Sequence, residues 1–301
     1  MKISTVALLA GAVTFGANAE MVEINHAKGT TKVETNPERV VVLGLGALDT
    51  VETFGISPVA ISTVSQFPDY LSKYRDGNFV VAGSLSEPDF ETIYTQKPDL
   101  IIIGSRAITQ YDELNKIAPT IVYAADANKG YWPSTQEQWR NLAKIFEKQD
   151  FVEQKIEQLD AQFKAISQHN KETNNDALTV MSAGGNVTTF GSQSRFSAIY
   201  KDFGFNQTVD GISESKHGDL ISYEFIREAN PETLLIIDKD KLINKGTSNT
   251  KREFDNELVQ ATSAFKNNRI VYLDINAWYL SISGIQATEQ MIQDVKTSVN
   301  M

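Results

Sequence analysis

Seven short runs of aliphatic and β-branched residues, each five or six long and separated by stretches of helical spacing, limit what this chain can fold into. Four of them, 39–44, 78–83, 100–104 and 120–124, precede residue 149; three, 177–181, 233–238 and 269–274, follow residue 172. A run that is apolar at almost every position has no face left for water, so it belongs in a parallel sheet covered by helices on both sides. Between the two groups the spacing changes. Phe151, Val152, Ile156, Leu159, Phe163 and Ile166 recur at steps of three and four, which predicts one helix over 149–172, about 35 Å long. Asp150 and Glu153 are its expected N-terminal cap, and the polar stretch 171–176 ends it. The expected fold class is α/β: two Rossmann-like lobes, 20–148 and 173–301, joined by one long rigid α-helix.

The apolar run 6–15 is of a different kind. It follows a single charge, Lys2, and precedes Ala17-Asn18-Ala19. A basic start, an apolar middle too short to span a bilayer and a small-x-small end make a secretory signal peptide, 1–19, expected to be cut after Ala19. The mature protein is then expected in the periplasm, where nucleotide cofactors are scarce. The chain has no cysteine, which excludes disulfides, thiolate metal sites and cysteine nucleophiles, and leaves nothing to lipidate after the leader. The formal net charge is −10, one unit more negative once Lys2 leaves with the leader. Nucleic acid and anionic membranes call for a basic surface, so neither is an expected partner. An anionic ligand would need a local basic pocket.

A hairpin opens the mature chain, with 21–26 and 31–34 alternating about Lys28-Gly29. Further on, one segment recurs: Phe90-Glu91-Thr92-Ile93 precedes Pro98 and the run 100–104, and Tyr223-Glu224-Phe225-Ile226 precedes Pro231 and the run 233–238. Prolines are common where helices pass into strands, so the spacing alone leaves open whether this is a true repeat of two similar lobes.

Gly44-Leu45-Gly46-Ala47-Leu48-Asp49 follows a strand and opens a helix, but Asp49 stands where a dinucleotide fingerprint has its third glycine. The segment reads instead as a tight turn that lets a strand end and a ligand come close. No GxSxG elbow occurs. The three histidines, His26 in the hairpin, His169 at the polar end of the long helix and His217 in the polar loop 213–219, make no triad. No enzyme is expected. Arg106 follows the run 100–104, Lys239 follows 233–238, and Arg195 lies in Gly191-Ser192-Gln193-Ser194-Arg195. Basic residues at strand ends and in a Gly/Ser loop suggest a cationic pocket in an acidic protein. Trp278 and Tyr279 come after the run 269–274, at a strand end where open α/β sheets bind ligands.

His26-Ala27-Lys28-Gly29-Thr30-Thr31, Asn36-Pro37-Glu38-Arg39, Gly46-Ala47-Leu48-Asp49, Pro98-Asp99-Leu100-Ile101-Ile102, Ser194-Arg195-Phe196 and Trp278-Tyr279-Leu280 resemble the periplasmic iron-siderophore binding proteins that feed ABC importers. The likeness spans the mature chain and is greatest to catecholate-siderophore binders, including those of vibrios for ferric vibriobactin and enterobactin. It implies a ligand cleft between the lobes, modest closure about a rigid helix, and no resident cofactor, the ferric siderophore being cargo. It also implies a monomer that delivers to a dimeric inner-membrane ABC permease. Arg106 and Arg195 match two of three basic residues that neutralise a trianionic ferric tris-catecholate. Lys239 stands where relatives often carry arginine, keeping the charge and losing the planar fork. Trp278 is expected beside the site as a ligand contact and fluorescence reporter, with core packing, the commoner role of a tryptophan at such a place, as the alternative. His217 and Tyr279 match positions that complete the iron shell when a tetradentate bis-catecholate leaves two sites open, and hard ferric iron suits imidazole and phenolate. Glu91 and Glu224 match acidic residues that dock onto permease arginines. Two other classes stay open: a binder of another chelate, such as haem, cobalamin or a hydroxamate siderophore, and an exported hydrolase.

Overall fold

The computed structural model describes residues 20–126, 128–212, 218–244 and 246–301. The antiparallel hairpin β1 (Met21–His26) and β2 (Gly29–Glu34) comes first, and its alternation sends Ile24 and Val33 into the core. β3 (Val40–Leu43), β4 (Ala60–Thr63), β5 (Val81–Ser84), β6 (Leu100–Gly104) and β7 (Thr120–Tyr123) form a sheet in the order β5-β4-β3-β6-β7, with every pairing parallel. β3 and β7 are buried at all four positions, as continuous apolar runs predict. β4, half Ser and Thr, escapes a search for apolar runs. Helix α1 (Leu45–Thr53) leaves β3 and α2 (Phe90–Thr95) leads into β6. The strand order reverses between β3 and β6, and their ends touch: a Cβ at Gly44 would stand 3.1 Å from the Gly104 backbone. Open α/β sheets bind ligands at such a reversal.

Helix α3 (Tyr131–Phe146) turns into α4 (Gln149–Glu172), the long helix that the spacing predicts. Its core face is Val152, Ile156, Leu159, Phe163 and Ile166. The cap differs from expectation. Lys148 holds the N-cap position, where its ammonium has no acceptor to offer the first N–H groups, and Glu153 is turned sideways to Arg140, 2.7 Å away on α3. Phe163 stacks between Trp132 at 4.7 Å and Phe203 at 4.6 Å, which ties the helix to elements on either side of it.

The second sheet contains β8 (Asp176–Ala183), β9 (Asn186–Phe190), β10 (Asn206–Gln207), β11 (Asp219–Ile221), β12 (Thr233–Asp238) and β13 (Ile270–Leu273), in the order β11-β9-β8-β12-β13 with β10 beside β8. β10, β8, β12 and β13 run parallel; β9 runs antiparallel to both its neighbours, β8 and β11. Helix α5 (Tyr223–Ala229) precedes β12 as α2 precedes β6. The recurrence is structural: Asp89 and Ser222 cap the two helices, and Ile93 and Ile226 are the residues each buries. Lys97 and Asn230 leave them with φ of 47° and 46°. The last helix, α6 (Ile285–Val299), crosses back to pack on α1 and α4. One hydrophobic core therefore runs through both lobes, and each sheet has a smaller core on its outer face. Among the described residues no helix is long and apolar enough to cross a membrane.

Candidate functional site

Arg106 sits in the 3₁₀ segment Ser105–Gln110 directly after β6, Arg195 in the loop after β9, and Lys239 directly after β12. Tyr279 lies in a single π-helical turn, Asn276–Leu280, beyond β13. These separate loops meet at one ring. The guanidinium carbon of Arg195 is 4.4 Å from the Tyr279 centroid, that of Arg106 5.3 Å, and Nζ of Lys239 5.6 Å. Arg106 Nη2 also donates to the Tyr279 carbonyl at 3.4 Å. One cation from the first lobe and two from the second thus surround a half-buried phenol. Among the described residues none of the three forms an ion pair. In a chain of net charge −10, unpaired cations facing one another signal a place for an outside anion.

The electrostatics follow from this crowding. Burial pushes the Tyr279 phenol up, but Arg195, Lys239, a hydrogen bond from Arg195 and Arg106 outweigh it, so its ionisation falls below the ordinary tyrosine value. Burial pulls Arg106 down, the Tyr279 oxygen opposes it and Arg195 reinforces it. A guanidinium starts so high that Arg106 stays charged.

The cleft beside this cluster has a volume of about 490 Å³ and lies over the β3–β6 reversal. Gly44, Ala47, Leu85, Tyr123, Leu280 and Ile282 make an apolar wall, and Arg106, Asp126, Gln193, Arg195 and Tyr279 a polar rim, with Lys239 reaching the Tyr279 ring from outside the lining. Its size and mixed lining suit a small organic ligand with an anionic face. Gly44 and Gly46 do line the cleft, yet the close approach at Gly46 is to protein: a Cβ there would lie 2.2 Å from the Ile282 carbonyl.

The family model described as "Periplasmic binding protein" matches residues 40–277. The chain belongs to that family. It is a family of substrate-binding proteins and not of enzymes. The crystal structure of the periplasmic catecholate-siderophore binding protein VctP from Vibrio cholerae matches with a TM-score of 0.90 at 60% identity, covering 93% of this chain and 100% of that one. The petrobactin-binding protein YclQ of Bacillus subtilis is 37% identical over 280 residues, which is 92% of this chain and 88% of its own length. The ferric-anguibactin-binding protein FatB of Vibrio anguillarum is 29% identical over 276 residues, 90% and 85% of the two chains.

In this periplasmic binding protein Arg106, Arg195, Lys239 and Tyr279 come together; Trp278 does not join them. Its side chain is 2% exposed, its Nε1 donates to Asp294 at 2.9 Å, and its ring lies 6.0 Å from Phe203. Neighbouring residues on a helical turn point apart, so Tyr279 faces the cleft while Trp278 packs the core beneath it, contrary to the sequence expectation. His217 lies outside the described residues. Glu91 and Glu224 are exposed in the first turns of α2 and α5 and do not line the cleft. Several lining residues escaped the sequence reading, among them Tyr123, which ends β7 and so obeys the same strand-end rule, and Gln193, two positions from Arg195.

Proposed function

We propose that this protein captures ferric catecholate siderophores in the periplasm and delivers them to an inner-membrane ABC permease. The observation that carries the reading is the ring of Arg106, Arg195 and Lys239 about Tyr279. A ferric tris-catecholate carries three negative charges, and the ring offers as many positive ones beside an apolar wall that suits the catechol rings. The names of its relatives VctP, YclQ and FatB, all siderophore binders, point the same way. For a tetradentate bis-catecholate, Tyr279 and His217 supply the two missing iron ligands in this reading. The lowered phenol ionisation favours it, since metal binding must displace that proton. Glu91 and Glu224 are the docking points for the permease, one on each lobe. The carrier works as a monomer after cleavage of 1–19.

Titration of the purified protein with ferric complexes tests the reading. Ferric tris-catecholates should quench its tryptophan fluorescence at concentrations where a ferric hydroxamate does not, because only the former is a trianion. Equal affinity for both would overturn it.

A further inference from the structure

The π turn that presents Tyr279 does not end in the second lobe. The chain continues through Ser281 and Ile282 into the first lobe, and at Ser283 it adopts a left-handed conformation, φ 69°, at 1% exposure. A buried serine in that region is strained and persists only where its surroundings hold it. Here they do. The Ser283 carbonyl accepts hydrogen bonds from Trp139 Nε1 at 2.6 Å and from the Tyr123 hydroxyl at 2.5 Å, and its Oγ accepts one from Thr135 at 2.8 Å. All three donors belong to β7 or α3 of the first lobe. Just beyond, Asp49 on α1 accepts from the backbone N–H groups of Gln286 and Ala287 at 3.1 and 2.9 Å, and so caps α6 from across the lobes. Gly46 and Gly284 leave room for this crossing, since a Cβ on either would fall within 2.2 Å of its neighbour.

We propose that Ser283 is a positioning residue for the ligand site: its carbonyl and hydroxyl pin to the first lobe the strand of chain that carries Tyr279, and thereby hold that ring against Arg106. Tyr279 is four residues away along a path with few free torsions, because Ser281 N bonds Asn276 O at 2.7 Å and Gly284 N bonds Ser281 O at 2.8 Å. Arg106 comes from the first lobe, Arg195 and Lys239 from the second. The ring of cations is therefore complete only while the two lobes keep one spacing, and this crossing, beside α4, sets that spacing at the ligand. The ligand role of Tyr279 rests on the function proposed above; its placement does not.

The test is the phenol ionisation of Tyr279, read without ligand as the ultraviolet pH titration of each variant minus that of the same variant carrying Tyr279→Phe. Thr135→Val, which removes the donor to Ser283 Oγ, should shift that titration upward as Arg106, the first-lobe cation, draws away, and Thr135→Ser should restore it. Trp139→Phe should act like Thr135→Val. Ser283→Gly removes the hydroxyl at a backbone angle that glycine favours, so it keeps the test open if the buried substitutions fold poorly. A second reading uses the ferric complex of catechol itself: Thr135→Val should weaken its binding by about tenfold, equivalent to about 1.4 kcal/mol. A lowered melting temperature with an unmoved Tyr279 titration would overturn the positioning role, as would equal shifts in Thr135→Val and Thr135→Ser. Failure of the unmutated protein to bind ferric catechol would count against the function, not against the placement.

Discussion

A half-buried phenol ordinarily ionises reluctantly, and at Tyr279 burial does act in that direction. Arg195, nearest the ring at 4.4 Å, is the main opposing influence, followed by Lys239. Arg195→Gln should therefore raise the Tyr279 ionisation, visible in the same ultraviolet titration, and weaken any iron–phenolate charge-transfer band. An unmoved titration would mean that the cations do not act on the ring. Lys239 has a different weakness. An ammonium is a point charge on a flexible stem, whereas a guanidinium presents two parallel donors to a catecholate oxygen pair. Lys239→Arg should tighten ferric tris-catecholate binding by several-fold, about 1 kcal/mol, in a fluorescence titration; weaker binding would show that the lysine is matched to its cargo.

At the scale of elements, two buried groups carry the joints between lobes. Phe163 on α4 is sandwiched between Trp132 and Phe203 at 3% exposure, so Phe163→Ala should cost about 3–5 kcal/mol in urea unfolding. Asp49 behaves differently, because its effect depends on pH. Burial pushes its carboxyl up to about 7, although the N–H groups of Ala287 and Gln286 pull it down. The folded carboxyl thus keeps a proton that the unfolded chain releases near pH 4, at about its ordinary value. The linked stability is full below that pH and is lost as pH rises to about 7, at a slope of at most about 1.4 kcal/mol per pH unit. Asp202, pushed up to about 6 by burial, adds in the same direction. The urea midpoint should fall between pH 5 and pH 7, and Asp49→Asn should flatten part of that fall; a pH-independent midpoint would contradict the assignment. Asp49 also illustrates what a one-dimensional pattern hides. It was legible as a broken dinucleotide fingerprint, but its role as the cap of a helix 237 residues later depends on a crossing that no local spacing encodes.

Across the whole molecule, the strands and the long helix were legible because periodicity of apolar residues reports burial directly, and burial is what a doubly covered sheet imposes. The cationic residues were legible because strand ends in open sheets converge. Trp278 was misplaced for the opposite reason: an aromatic pair at a strand end has one member facing the cleft and one facing the core, and sequence does not say which. β4 and β9, rich in Ser, Thr and Asn, escaped because hydroxyl residues on short strands carry no apolar signal. The matching positions of Glu91 and Glu224 on the repeated helices give the molecule two like acidic points, as a two-fold partner would require. Glu91→Arg with Glu224→Arg should abolish iron uptake in cells while leaving siderophore affinity unchanged; uptake that survives would remove them from the docking surface.

The central claim is that one positive ring recognises one trianionic ferric complex. Its direct measure is the affinity of a ferric tris-catecholate for the unmutated protein and for the Arg106→Gln, Arg195→Gln, Lys239→Gln triple variant at matched ionic strength. The triple variant should bind at least about a hundredfold more weakly, or about 2.7 kcal/mol, with an unchanged fold by circular dichroism. Binding within a few-fold of the original would contradict the account.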